Sequence, residues 1–397
     1  MLDTIGLITV PTIIERNRRS VALDYLRAFV ILLVVAHHAV TSYAVFSHFD
    51  IQNYLASSEP IVDPRRWVGF DVFLLFTDVF FMPLMFLLSG LFVWPSLRRH
   101  GAAGFLRQRW LRLGVPYAVA LLLLMPPAYY PSWRMAGGAP GLAAYWWHTV
   151  STGPRPNGPI WFIGVLLLFD TAVATLHRLW PDWSRGAANL VGRQAARPTL
   201  LFTTVLAASI AAYLPLLLRF GPDRWLVVGP VLIQADRVLL YAVQFGAGIA
   251  IGRAGGPLLA AGGALARQWR RWLLAGAVSF AIVLAWNTMA LHSGIRPGGG
   301  AVSGVVFALA CCAIGFACFA LFLRFARQRF ALADSLAANA YGIFLVHYVP
   351  MVWLQYGLLA ADLPAGAKAV LVLAGTLGAS WAAVAAARRI PAVRALL

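Results

Sequence analysis

With 397 residues, 61% of them hydrophobic and only 12% charged, and a mean hydropathy of +0.75, the chain is far too apolar for a soluble domain of its length. Its net charge of +18 would suit a nucleic-acid ligand. The basic residues, however, come as short clusters between apolar runs, which is how membrane topology is written, and that excludes the nucleic-acid reading.

Residues 1–20, MLDTIGLITVPTIIERNRRS, carry their basic cluster after the apolar part, unlike a cleaved signal, and read as a cytoplasmic N-terminal segment. A membrane-crossing helix needs about 20 apolar residues. Ten stretches of that kind follow: 21–46, 68–95, 113–130, 160–180, 199–219, 233–252, 272–291, 301–324, 338–360 and 366–387. Pro126 and Pro127 in MPPAYYP are expected to break the third, and HTVSTGPRPNGP reads as a plain loop before the fourth. Cys311, Cys312 and Cys318 share one apolar run, without metal-ligand spacing, and read as packing residues. Residues 388–397 form a short tail. No linker separates a soluble domain, so 21–387 is expected to be one membrane domain.

Ten spans put both termini and every second loop on one face. That face collects 22 of the 32 basic residues and the other collects eight, Lys368 among them, with Arg27 and Arg237 inside spans. The positive-inside rule makes the richer face cytoplasmic. The expected fold is an all-α integral membrane bundle of about ten helices around a central polar cavity lined by spans one, two, three and nine, with both termini cytoplasmic.

Within the first span, RAFVILLVVAHHAV carries an arginine and two histidines through an apolar run. Arg27 and His38 are eleven residues apart, about 1100° at 100° per residue, which returns to within about 20° of the same face. Their separation along the axis is about 16 Å at 1.5 Å per residue. Arg27 is thus expected near the cytoplasmic entrance and His38 near mid-membrane, while His37 points about 100° away. Ionisable groups at such depth are costly and usually face a cavity or a partner. The spacing suits an anionic group held at the cytoplasmic mouth, with a long arm reaching a base deep in the membrane.

VALDYLRAFVILLVVAHH resembles the first span of the membrane-bound acyltransferase family 3, whose signature is an arginine, ten residues and a histidine, here Arg27 and His38. FLLSGLF at 86–92 resembles that family's Ser-Gly motif with Ser89 and Gly90. FLRQRWLRLGVPY at 105–117, PIWFIGVLLLFD at 159–170 and NAYGIFLVHYV at 339–349 are further matches in family order. The family's aspartate six residues before the serine is replaced by Pro83, and Asp78 lies five residues earlier still. FFMPLMFLLSG resembles the branch containing a glucan succinyltransferase. No soluble C-terminal domain of the kind some members carry is expected, so the acceptor is expected to meet the membrane domain or a partner.

The resemblance implies a multi-pass protein of the bacterial cytoplasmic (inner) membrane. It implies transfer of an acetyl- or succinyl-class acyl group from cytoplasmic acyl-CoA, a co-substrate, to a glycan or glycolipid hydroxyl on the far side, with no permanently bound cofactor. His38 is expected as general base, with a covalent acyl-histidine as the rival route. Arg109 and Arg112, at i and i+3, are expected to clamp the polyanionic donor. Arg27, Ser89 and Tyr341 are alternative hydrogen-bond donors to the developing oxyanion. His347 and Asp78 are accessory candidates. Asp236 and Arg237 read as structural. Trp133, Tyr145, Trp146, Trp147 and Trp161 form either an interfacial belt or a platform for sugar rings. No histidine pair has metal-ligand spacing, so no metal is expected. The rival classes are a proton-coupled transporter and an acyltransferase acting on a lipid or small molecule, which would need no far-side aromatic surface.

Overall fold

In the computed structural model, residues 13–57, 59–152 and 155–396 are described. α1 (Ile13–Thr41) is the hub of the bundle. It packs against α2 (Val68–Leu91), α10 (Gly300–Phe325), α11 (Ala331–Val346), α12 (Tyr348–Gly357) and α13 (Ala365–Ala387). Among the described residues eight helices are long and apolar enough to cross a membrane, nine if α11 and α12 count as one bent span. The remaining expected segment, 233–252, corresponds to α8 (Val238–Ala254), an apolar helix of 17 residues. The protein is an all-α, multi-pass membrane protein.

The third span differs most from expectation. α3 runs without a gap from Val93 to Met135, with two π-helical stretches at Trp110–Gly114 and Ala120–Leu124 and a kink at Gly101. A proline within a helix removes one N–H and leaves the carbonyl four residues earlier without its donor. In α3 three such carbonyls are taken by side chains of other helices. The Tyr341 hydroxyl donates to the Arg112 carbonyl, four residues before Pro116, at 2.8 Å. The Trp146 indole donates to Leu122, four before Pro126, at 2.8 Å. The Trp353 indole donates to Pro127, four before Pro131, at 3.0 Å. This substitution of side-chain donors for missing N–H groups lets the helix continue through MPPAYYP. The run expected as a plain loop begins in α4 (Leu142–Thr152), which supplies Trp146.

α11 and α12 behave otherwise. They meet at His347 with a 64° bend. Pro350 accounts for it, since its ring would collide with the Val346 carbonyl if the helix ran straight, and α11 ends at Val346.

Next come α5 (Trp161–Leu179), α6 (Arg185–Gln194) and α7 (Pro198–Phe220). A two-stranded hairpin, β1 (Trp225–Val228) with β2 (Val231–Gln234), lies where the sequence suggested only a loop and the start of a span. Its turn places Gly229 at φ 59°, in the region glycine adopts freely. The tip is pinned by Tyr117 and Asn157, which donate to the Pro230 carbonyl at 2.6 and 3.1 Å. α2 and α8 then approach through glycines. A Cβ on Gly90 would strike the Phe245 carbonyl, and one on Gly248 or Gly252 would strike the Leu87 or Leu91 carbonyl. The glycine of FLLSGLF is therefore a contact for close helix packing. Beyond α8 come α9 (Trp269–His292) and, after α13, a final short helix, α14 (Pro391–Leu396).

Cross-links identify the two ends of the bundle. At one, rich in arginine, the Tyr25 hydroxyl donates to Asp334 and Arg388 to Asn339, so the start of the first span and the end of the last lie together. There Arg253 also bonds Asp182, holding its carboxyl below the usual carboxylate range, and stacks over Trp94. At the opposite end Lys368 donates to Asp63 at 2.7 Å. Lys368, counted from the sequence among the loop charges, is fully buried with its carboxylate partner, which is how a charge persists inside a low-dielectric interior.

Candidate functional site

α1 ends at Thr41, so His38 lies three residues, about 4.5 Å, from the end of its helix. The histidines nevertheless reach the interior of other spans, since His37 meets Thr77, nine residues into α2, and His347 lies ten residues before the end of α12. Beyond Thr41 the chain leaves the helix at Ser42 and folds over the bundle, with the Asp63 amide donating to the Ser42 carbonyl at 2.9 Å.

Three imidazoles meet at His38. The His38 ring lies 5.3 Å from that of His37 and 5.8 Å from that of His347, between centroids, with the Tyr348 ring edge-on at 5.5 Å. His37 Nδ1 is 2.7 Å from the Thr77 hydroxyl, and its ring stacks on Phe81 at 4.9 Å. His347 sits at the α11–α12 bend, where Nδ1 lies 2.7 Å from the Phe344 carbonyl. A carbonyl only accepts, so Nδ1 carries the proton and Nε2 is a bare acceptor, fully buried and without a hydrogen-bond partner among the described residues.

The His38 ring itself has no hydrogen bond among the described residues, leaving both nitrogens free for a substrate. Its backbone is fixed instead, the Gln355 amide donating to the His38 carbonyl at 3.0 Å. Tyr129 of α3 packs 5.7 Å from Tyr348, and a Cβ on Gly158, just before α5, would press on Tyr348. Spans one, two, three and nine thus all contribute to the cluster. His38 is only partly buried, whereas Ile31 and Val34, below it on the same side of α1, are buried. His38 therefore keeps some open surface, while the α1 face between Arg27 and His38 is packed shut.

The other expected site residues stand apart. Arg27 is largely exposed and pairs with Asp24 at 3.7 Å. Arg109 turns inward, its Nε 3.3 Å from the buried Asp170 carboxylate, while Arg112 is exposed. The wider π turn that begins at Trp110 removes the i, i+3 alignment on which a common clamp depended. Ser89 donates to the Met85 carbonyl of its own helix at 2.8 Å, and the Tyr341 hydroxyl is committed to Arg112. Neither hydroxyl hydrogen is free for a ligand as the structure stands.

Asp78 follows Thr77 and opens a second polar group beside the histidines. Although it lies ten residues into α2, about 15 Å, its side chain is 38% exposed, which marks a recess. Arg237 bonds it at 2.8 Å and lies 3.4 Å from Asp223 and 3.6 Å from Asp236. Asp236 is fully buried, and neither carboxylate oxygen has a hydrogen-bond partner among the described residues. Arg237 and Asp236 do pair, but as part of a cluster with two further carboxylates. Trp161 packs on Trp225 of the hairpin at 5.2 Å and on Tyr241 at 5.8 Å. It is separate from Trp133 and Tyr145, which pack together at 5.5 Å, so the five far-side aromatics do not form one platform. Among the described residues no group of three or more histidine, cysteine or acidic side chains is placed to hold a metal ion.

Sequence reasoning missed Thr77, Tyr348 and Gln355. Two of them stand beside residues it singled out, Asp78 and His347, but their partnerships cross helices and leave no periodic signal.

Residues 20–385 match the family described as an acyltransferase domain. The chain belongs to acyltransferase family 3. It is an enzyme that transfers acyl groups other than aminoacyl groups. No curated protein and no solved structure matches the chain. The broken span at His347 is a feature that membrane carriers also use, and family membership decides in favour of acyl transfer.

Proposed function

We propose that this acyltransferase moves an acetyl- or succinyl-class group from acyl-CoA, arriving at the arginine-rich face, to a glycan or glycolipid hydroxyl arriving from the opposite face. His38 is its general base. The observation that carries this reading is the His38 ring, with both nitrogens free, held among His37, His347 and Tyr348. The acceptor hydroxyl gives its proton to a neutral His38 nitrogen as its oxygen attacks the thioester carbonyl. The carbon–sulfur bond then breaks, and the imidazolium returns the proton to the departing CoA thiolate. The arginine-rich face is cytoplasmic, in a bacterial inner membrane, and Arg27 guides the donor there. Ile31 and Val34 must part to admit the thioester arm. The partly exposed Asp78 and the Trp161–Trp225 pair offer a carboxylate and ring faces that suit a polyhydroxylated acceptor.

The test is binding and turnover of radiolabelled acetyl-CoA and succinyl-CoA by purified protein, wild type beside His38→Ala and Arg27→Ala. His38→Ala is expected to bind donor but to lose about 10²-fold or more in turnover, the range of general-base catalysis, and Arg27→Ala to bind weakly. Wild-type turnover by His38→Ala would sink the assignment.

A further inference from the structure

The last turn of α10 and the loop joining it to α11, Arg324-Phe325-Ala326-Arg327-Gln328-Arg329-Phe330, surround an open cleft of about 340 Å³ lined by Arg324, Phe325, Arg327, Gln328 and Phe330. Neither Arg324 nor Arg327 forms an ion pair among the described residues. Arg327 instead donates to the Arg324 and Ala261 carbonyls, at 2.8 and 3.3 Å, which fixes the guanidinium without neutralising it. Arg329 is different, turned away to Asp334 at 2.9 Å. Phe325 and Phe330 are both 60% exposed.

The loop is braced from two sides. The Phe330 amide donates to the Tyr25 hydroxyl of α1 at 2.9 Å, and Phe325 packs edge-on against Trp269 at 5.1 Å. A positive-inside cluster needs arginines alone. It needs neither a cleft nor two exposed phenyl rings beside unneutralised guanidiniums. Guanidinium forks bind phosphate, aromatic rings stack on nucleobases, and a glutamine amide matches a purine edge.

Position supports the same ligand. Asp24 of α1 lies 3.7 Å from Arg27 and 4.0 Å from Arg329, so the loop adjoins the arginine from which the α1 face leads to His38. We propose that this cleft holds the phosphorylated adenosine end of the acyl-CoA donor, a placement that rests on the acyl-CoA reading above. The nucleotide then sits on the α10–α11 loop, with its thioester arm directed past Arg27. The headgroup of an anionic lipid shares the phosphate chemistry but not the purine.

The experiment uses the full chain in phosphatidylcholine nanodiscs and compares acetyl-CoA with acetyl-pantetheine, which keeps the thioester arm and lacks the nucleotide. Binding of adenosine 3′,5′-bisphosphate is measured alongside. Arg324→Gln/Arg327→Gln is expected to raise the KM for acetyl-CoA by about tenfold or more, the scale of one lost charged hydrogen bond. It should abolish bisphosphate binding and leave acetyl-pantetheine turnover unchanged. Phe330→Leu should weaken bisphosphate binding in the same direction.

An unchanged KM for acetyl-CoA in both variants overturns the site. So does bisphosphate binding that is lost only when anionic lipid is added, which would assign the arginines to lipid. If the double variant also loses acetyl-pantetheine turnover, Phe330→Leu and Arg324→Lys/Arg327→Lys decide. The site stands if the lysine pair recovers acetyl-pantetheine turnover while Phe330→Leu weakens bisphosphate binding, and falls otherwise. If the wild type neither binds nor turns over acetyl-CoA, the acyl-CoA reading has failed first, a result distinct from the others.

Discussion

α3 carries Pro116, Pro126, Pro127 and Pro131 within a rod of 43 residues that never leaves the helical path for long, whereas Pro350 accompanies a 64° bend between α11 and α12. In α3 the Arg112, Leu122 and Pro127 carbonyls each receive a hydroxyl or indole donor from a neighbouring helix. No side chain among the described residues donates to the Val346 carbonyl. In hydrocarbon an unsatisfied carbonyl is costly, and the borrowed donors offset that cost in α3, whereas Pro83 in α2 and Pro215 in α7 stay within their helices without such a donor among the described residues. The bend is where His347 faces His38. Two of the donors that keep α3 continuous, Tyr341 and Trp353, come from the broken pair itself, so the continuous helix frames the interrupted one.

The largest effect is expected from removing the bend. Pro350→Ala restores an N–H for the Val346 carbonyl and removes the ring clash, allowing α11 to run on through His347. Acyl transfer should fall by about 10²-fold, as misplacement of a catalytic group by about an ångström does, while the melting temperature stays at or above that of the wild type. Unchanged transfer in this variant would mean that the geometry of the bend does not serve the histidine cluster.

The sequence made much of this arrangement legible, and for a physical reason. Crossing a bilayer needs a local run of apolar residues, so the spans could be placed from composition alone, and the 100° step of a helix put Arg27 and His38 on one face. The neighbours of the histidines were not legible, because Thr77, Tyr348 and Gln355 reach them from other helices. The hairpin escaped because its inner strand is as apolar as the span it precedes. The partner of Tyr341 did leave a signal: Arg112 is four residues before Pro116, which marks its carbonyl as one in need of a donor.

A middle-sized effect should come from exposing one of the absorbed prolines. Trp353→Phe leaves the Pro127 carbonyl bare and should cost about 1–3 kcal/mol, the penalty for a buried unsatisfied acceptor. Pro131→Ala supplies a backbone N–H to the same carbonyl. Combining the two should therefore cost clearly less than Trp353→Phe and Pro131→Ala summed, read as melting temperatures in a double-mutant cycle. Additivity to within about 0.5 kcal/mol would show that the indole does not stand in for the missing N–H.

The smallest effect bears on how the motif NAYGIFLVHYV is understood. By resemblance Tyr341 belongs with the donor site, yet its hydroxyl bonds the carbonyl that Pro116 frees, at 2.8 Å. Tyr341→Phe removes that one donor and keeps the ring, so the loss should be about 1 kcal/mol, in the range of hydrogen bonds between membrane helices. The KM for acyl-CoA should not move. A raised KM at unchanged melting temperature would return the hydroxyl to the donor site and make its bond to Arg112 a resting-state contact. A lowered melting temperature alone would place Tyr341 with Trp146 and Trp353, as the third side chain that lets a proline-rich helix cross the membrane unbroken beside one that is broken.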